Sequence, residues 1–147
     1  MKDKYITIFS IAIIIILIDQ ITKFLIKTSF QLKESLLIIK NFFHLTYIHN
    51  FGAGFGILQQ QHLILIFISL IVVGVIFYYL DKIGEKEKLL QILVGFILGG
   101  TIGNVTDRIA YGFVIDFLDF RIWPIFNVAD SFVTVGVIGL VIYLYKK

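Results

Sequence analysis

Four long apolar stretches, at residues 5–27, 63–80, 89–110 and 128–145, constrain this chain more than any other feature. A helix crosses the hydrocarbon core of a bilayer with about 20 mostly apolar residues, and each stretch reaches or nears that length. A spanning segment finds no water to bond, so it must pair its own N–H and C=O groups. The stretches are therefore read as helices, although the second and fourth carry many β-branched residues that favour strand in water. Composition agrees: the chain is 59% hydrophobic and 16% charged, against about 45–50% and about 25% for soluble domains. The 147 residues suit one domain, giving an expected all-α membrane protein of four transmembrane helices in a single polytopic domain, residues 1–147. Lys2 and Lys4 ahead of an apolar run suggest a signal peptide. The run meets Asp19-Gln20, not a small-residue cleavage site, and resumes through Phe24-Leu25-Ile26, so it is read as a retained first span.

Residues 81–88 form a short, highly charged helix–helix loop. Within the longer connection 28–62, residues 36–47 are rich in β-branched and aromatic side chains and predict a small strand pair on the membrane surface. The connection 111–126 holds the sole proline, Pro124, and the sole tryptophan, Trp123, a residue that favours the membrane–water interface. With an even number of spans, Lys2, Lys4, Lys82, Lys86, Lys88, Lys146 and Lys147 share one side, against Lys27, Lys33, Lys40 and Arg121 on the other. The positive-inside rule makes the first side cytoplasmic, so both termini lie there and connections 28–62 and 111–126 face outward.

Several functions are excluded. No cysteine means no disulfide, thiolate nucleophile or cysteine metal site. His44, His49 and His62 lack metal-ligand spacing, HExxH is missing, and no metal or cofactor is expected. Gly52-Ala53-Gly54-Phe55-Gly56 lacks the strand–helix context of a phosphate loop. A net charge of +3, spread along the chain, does not suggest nucleic acid. The serines form no Ser-His-acid set.

Ionisable residues inside the spans carry the functional signal. Asp19, Lys23, Asp107, Arg108 and Asp130 all fall within them, and five unpaired charges at mid-bilayer would cost on the order of 15 kcal/mol. They must pair, neutralise or lie near water. At ~1.5 Å per residue, Asp19 lies roughly 12 Å and Lys23 roughly 6 Å below the outer end of their span. Asp107 and Arg108 lie within about 5 Å of theirs, and Asp130 sits in the first turn of the fourth span. All five occupy the outer half, at one level, beside the connection that holds Asp116. A carrier would set its acids at the midplane with access from both sides.

Local spacing leaves alternatives open. Asp19 and Lys23 are i,i+4 on one face and form either a support for a site or a pair that neutralises itself. Asn104 and Arg108 are also i,i+4, with Asp107 i,i+3 from Asn104. Gly99, Gly100 and Gly103 before them permit close helix packing. Asn127 and Asp130 have the form of a capping box, and an acid at a helix N-terminus is stabilised in any case. Asp116 and Asp119, taken alone, are ordinary loop acids. Paired carboxylates are the best-equipped catalysts in such a chain: two close together share a proton, one serving as general base on a water and the other as general acid.

Five segments in order carry a resemblance: Asp19-Gln20-Ile21-Thr22-Lys23, Asn50-Phe51-Gly52-Ala53, Gly103-Asn104-Val105-Thr106-Asp107-Arg108, Val114-Ile115-Asp116-Phe117 and Phe126-Asn127-Val128-Ala129-Asp130-Ser131. Together they resemble the ordered motifs of bacterial lipoprotein signal peptidase (signal peptidase II), from the first span to the fourth. Gly54 departs from the pattern, which usually has a second alanine there. The resemblance implies that Asp116 and Asp130 are the catalytic dyad and that Asn127 orients it. It implies that Asn50, Asn104 and Arg108 line the site or bind substrate, and that Asp19, Lys23, Gly52, Asp107 and Ala129 support it. It also implies an aspartic endopeptidase of the bacterial cell membrane, with its site near the extracytoplasmic face and a small extracytoplasmic β element between helices 1 and 2; a monomer suffices, since one chain carries both carboxylates. Its partners are membrane lipid and prolipoproteins carrying diacylglyceryl on a cysteine, cut just before that cysteine. Two other functions stay open on the residues alone: a small proton-coupled carrier, and an assembly factor that uses its polar residues as interhelical glue.

Overall fold

The computed structural model of the protein describes residues 3–54 and 57–147; Lys2, Phe55 and Gly56 lie outside the described residues. Four helices long and apolar enough to cross a membrane dominate it. Helix α1 (Asp3–Ser29) opens with an acid and closes with Lys27, both favourable to its dipole. It is followed by β1 (Ser35–Ile39), β2 (Phe43–Asn50) and α2 (His62–Tyr79), which ends in a 3₁₀ turn (Leu80–Lys82). Helix α3 (Lys88–Tyr111) stops at Gly112, whose φ of 79° supplies the left-handed cap that a β-carbon disfavours. Strand β3 (Val114–Asp119) leads to α4 (Val128–Tyr145).

The strands form one antiparallel sheet in the order β1-β2-β3, with Leu36 opposite Leu45, Ile48 opposite Asp116 and Asn50 opposite Val114. The register slips between Leu45 and Ile48, where a bulge bends β2. The hairpin β1–β2 falls where the sequence predicts strands. Strand β3 corrects the reading of 111–126 as a plain connection and of Asp116 and Asp119 as loop acids. Its partner lies more than sixty residues away along the chain, and two aspartates break its apolar pattern, so nothing local marks it as strand.

Helix α3 is the centre of the bundle, with α1 on one side and α4 on the other. Glycines permit both approaches: a β-carbon at Gly99 would stand 2.7 Å from the Ala12 carbonyl of α1, and one at Gly100 would strike the Ala129 carbonyl of α4. Helix α2 leans on α3, with Val73 and Ile76 against a core of Ile8, Ala12, Leu80, Ile83, Val94 and Leu98. A second core of Ile26, Tyr47, Ile115 and Phe117 joins the sheet to the bundle.

The two ends of the bundle differ. At one, buried Lys4 of α1 donates from Nζ to the carbonyls of Asp81 (3.0 Å) and Ile83 (2.8 Å), serving carbonyls left open where α2 ends. Glu87, just before α3, accepts from Tyr143 Oη (2.9 Å) and Lys147 Nζ (2.6 Å) at the end of α4. The N-terminal end of α1, the 81–88 connection and the end of α4 therefore share one face. The sheet, the start of α4 and Asp116 occupy the opposite one.

Candidate active site

Between the sheet and the helix bundle lies a buried polar layer: Asp19, Lys23, Asn104, Asp107, Asp116 and Asn127 are all at or below 9% exposure. Isolated charges at that depth would be costly, so each must find partners. Asp116 projects from β3 with no exposed surface. Its Oδ1 accepts from Asn127 Nδ2 at 2.7 Å and its Oδ2 from Asn50 Nδ2 at 2.8 Å. Asp130, in the first turn of α4, accepts from Asn104 Nδ2 on Oδ1 (2.7 Å) and from the Asn127 backbone N–H on Oδ2 (3.3 Å).

Asn127 joins the two carboxylates. Its Oδ1 accepts the Asp130 backbone N–H at 2.8 Å, completing a capping box, while its Nδ2 turns to Asp116. The cap and a bond to Asp116 coexist because the two ends of the Asn127 amide meet different partners. Asn104 complements it, its Oδ1 accepting from Asn127 Nδ2 (3.0 Å) and Lys23 Nζ (3.0 Å) and its Nδ2 donating to Asp130. Asn104 thus bonds away from Arg108, its i,i+4 neighbour.

Below the amides sits an ion triad. Lys23 Nζ stands 2.8 Å from Asp19 Oδ2 and 3.0 Å from Asp107 Oδ2, all three side chains at 1% exposure or less. The Asp19–Lys23 pair is therefore not self-contained; it reaches α3. Asp107 Oδ2 also accepts the Ile115 backbone N–H (3.0 Å), and Asp19 Oδ1 the Ala129 backbone N–H (2.9 Å). Gln20 was not singled out from the sequence, yet its Nε2 donates to Asp107 Oδ1 (2.9 Å) and the Gly103 carbonyl (3.2 Å). An amide inside an apolar span is the signal that could have found it.

A cavity of about 700 Å³ opens onto this layer. Asn50, Asn104, Arg108 and Asp130 form its polar end, and Phe42, Phe120, Trp123 and Phe126 much of its apolar wall. Asp130 reaches the cavity directly, whereas fully buried Asp116 is bonded by Asn50, which lines it. Gly52 is tied on both sides: its N–H donates to Asn50 Oδ1 (3.0 Å), and its carbonyl accepts from Arg108 Nη2 (3.1 Å). A β-carbon at Gly54 meets nothing within 4 Å, so the departure from the family pattern there leaves room for an alanine. Burial, reinforced by the nearby Asp130 charge, pushes the Asp116 carboxyl up to about 8, so it holds a proton at neutral pH. The histidines stand apart from this layer: His44 accepts from Arg121 Nε (3.1 Å), and His49 stacks on Phe113 at 3.7 Å.

The signal peptidase (SPase) II family model matches residues 11–146, nearly the whole chain. The chain belongs to the signal peptidase II family. It is 41% identical over 140 residues to the lipoprotein signal peptidase of Halothermothrix orenii, covering 95% of this chain and 96% of that protein. It is 46% identical over 129 residues to the lipoprotein signal peptidase of Brevibacillus brevis, covering 86% and 87%. A bacterial membrane enzyme solved at 2.3 Å resolution superimposes with a TM-score of 0.90 at 34% identity, over 95% of this chain and 88% of the other. A peptidase of a multi-pass membrane fold thus replaces the carrier and assembly-factor alternatives.

Proposed function

We propose that this peptidase is an aspartic endopeptidase that removes the signal peptide from diacylglyceryl-modified prolipoproteins, cutting just before the lipidated cysteine, with Asp116 and Asp130 as its dyad. The observation that carries this reading is the Asn127 side chain, which donates to Asp116 while it accepts from the backbone of Asp130. Two carboxylates bonded by one residue, Asp116 by the Asn127 side chain and Asp130 by its backbone N–H, at the wall of an apolar cavity suit a shared proton. The ionised carboxylate takes a proton from a water whose oxygen bonds to the scissile carbonyl carbon. The protonated carboxyl donates to the carbonyl oxygen. As the tetrahedral diol collapses, the C–N bond breaks, the proton on the first carboxyl passes to the departing cysteine amine, and one diol hydroxyl returns its proton to the second carboxylate, which restores the dyad.

The surroundings fit such a substrate. The wall of Phe42, Phe120, Trp123 and Phe126 suits lipid chains, and Arg108 offers the only cation among its lining residues. With the lysine-rich end cytoplasmic, the cavity faces the extracytoplasmic leaflet of the bacterial cell membrane, where a lipidated signal peptide emerges. A monomer suffices, because one chain carries both carboxylates, and membrane lipid is the remaining partner. The test is cleavage of a diacylglyceryl-modified precursor in detergent micelles by wild type, Asp116→Asn and Asp130→Asn, with folding checked by thermal unfolding. Both folded variants lose cleavage under this proposal; retained cleavage by either overturns the dyad.

A further inference from the structure

Each half of the dyad is preceded by a residue whose backbone N–H is held by a buried carboxylate. Ile115, just before Asp116, donates to Asp107 Oδ2 at 3.0 Å; Ala129, just before Asp130, donates to Asp19 Oδ1 at 2.9 Å. The two carboxylates come from different helices, α3 and α1, and a single ammonium, Lys23 Nζ, lies 3.0 and 2.8 Å from them. We infer that Lys23, through Asp19 and Asp107, is a positioning residue that sets the separation of Asp116 and Asp130 and the orientation of the Asn104 amide that bonds Asp130. This rests on the dyad reading above.

The amide orientation follows from chemistry. An ammonium has three protons and no acceptor. Two of the Lys23 protons go to the carboxylates, and the third meets Asn104 Oδ1 at 3.0 Å. Asn104 is thereby fixed with its oxygen inward, which leaves its Nδ2 to bond Asp130. The same oxygen accepts from Asn127 Nδ2, whose other proton serves Asp116. Replacing Lys23 by a group without protons would leave Asn104 Oδ1 with Asn127 Nδ2 as its remaining donor, loosening the orientation that aims Asn104 Nδ2 at Asp130, while Asn127 stays held by the Asp130 backbone N–H. Lys23 also brings a positive charge to this layer. The titratable groups around the dyad are Lys23 and Asp19 from α1 and Asp107 and Arg108 from α3, with β3 and α4 contributing the dyad itself. Removing the ammonium raises the pH at which the base carboxylate ionises; removing the Asp107 charge lowers it.

The experiment measures kcat and KM against pH for a diacylglyceryl-modified precursor, with wild type, Lys23→Met, Lys23→Arg, Asp107→Asn, Asp116→Asn and Asp130→Asn in detergent. Folded Lys23→Met is expected to lose about 100-fold in kcat with KM changed less than about threefold, and its acidic limb moves up by about one pH unit. Lys23→Arg recovers at least about tenfold of that loss. Asp107→Asn keeps an acceptor for the Ile115 N–H and moves the acidic limb the other way, which preserves the test if Lys23→Met does not fold. A wild-type profile in Lys23→Met, or in Asp107→Asn where the former is unfolded, overturns this inference alone. Cleavage surviving in Asp116→Asn or Asp130→Asn overturns the dyad instead.

Discussion

Gly100→Ala is the substitution for which the structure gives the most defined expectation. Gly100 lies where α3 crosses the first turn of α4. An added methyl would stand 2.7 Å from Val133 Cγ2, about 0.7 Å short of an ordinary 3.4 Å contact, and would strike the Ala129 carbonyl. A side chain can turn away, but a helix carbonyl cannot, so α4 must shift by several tenths of an ångström. Overpacking of this kind costs about 1–3 kcal/mol, offset by about 1 kcal/mol from the better helix propensity of alanine, a net loss of about 0–2 kcal/mol. Activity should suffer more. Ala129 immediately precedes Asp130 of the proposed dyad, and misplacing a reacting group by about 1 Å costs about 100-fold. A ten- to hundredfold fall in kcat (about 1.4–2.7 kcal/mol in barrier), beside a small change in unfolding temperature, is expected. The assay is precursor cleavage in detergent alongside thermal unfolding. Gly74→Ala on α2 is the control, since its β-carbon meets nothing within 4 Å. Wild-type kcat in Gly100→Ala, or an equal loss in Gly74→Ala, would refute the packing argument.

Three further outcomes follow from particular contacts. Between about pH 4 and about 8, folded Asp116 keeps a proton that the unfolded chain releases; stability present below the ordinary carboxylate value is therefore lost as pH rises through about 8. Asp116→Asn should flatten that slope, as unfolding temperatures at pH 5 and pH 8 would reveal; an unchanged slope refutes the assignment. Lys4→Met strips two carbonyls of a buried donor and should cost about 1–3 kcal/mol in denaturant or thermal unfolding while leaving kcat unchanged, because Lys4 is at the end of the bundle away from the cavity. Gly112→Ala forces a β-carbon into φ 79° and should cost about 1 kcal/mol, with Gly112→Asn milder; equal stability of the two would refute the cap.

Much of the site was legible because burial in lipid is expensive. Asp19, Lys23, Asp107, Arg108 and Asp130 stood out as charges in apolar helix, and their shared depth marked one level of the bilayer. The same reasoning fell short at Gln20, a neutral amide without that cost, and at β3, whose partner is remote in sequence. It also read Asn127 and Asp130 as a choice between cap and site, because spacing along one helix does not reveal that the far end of the Asn127 amide meets Asp116 from another element.

What the chain determines by itself is what depends on neighbours in sequence: helices from runs of apolar residues that must satisfy their own backbone, the cap before Asp130, and the excess of lysines on one side of the spans. Tertiary structure decides what depends on contacts between different elements. Asp19 holds the backbone beside Asp130, and Asp107, from another helix, holds the backbone beside Asp116. Hydrogen bonds are short-ranged and directional, so which oxygen each amide proton meets is fixed only when glycine-lined helices have closed to within contact distance.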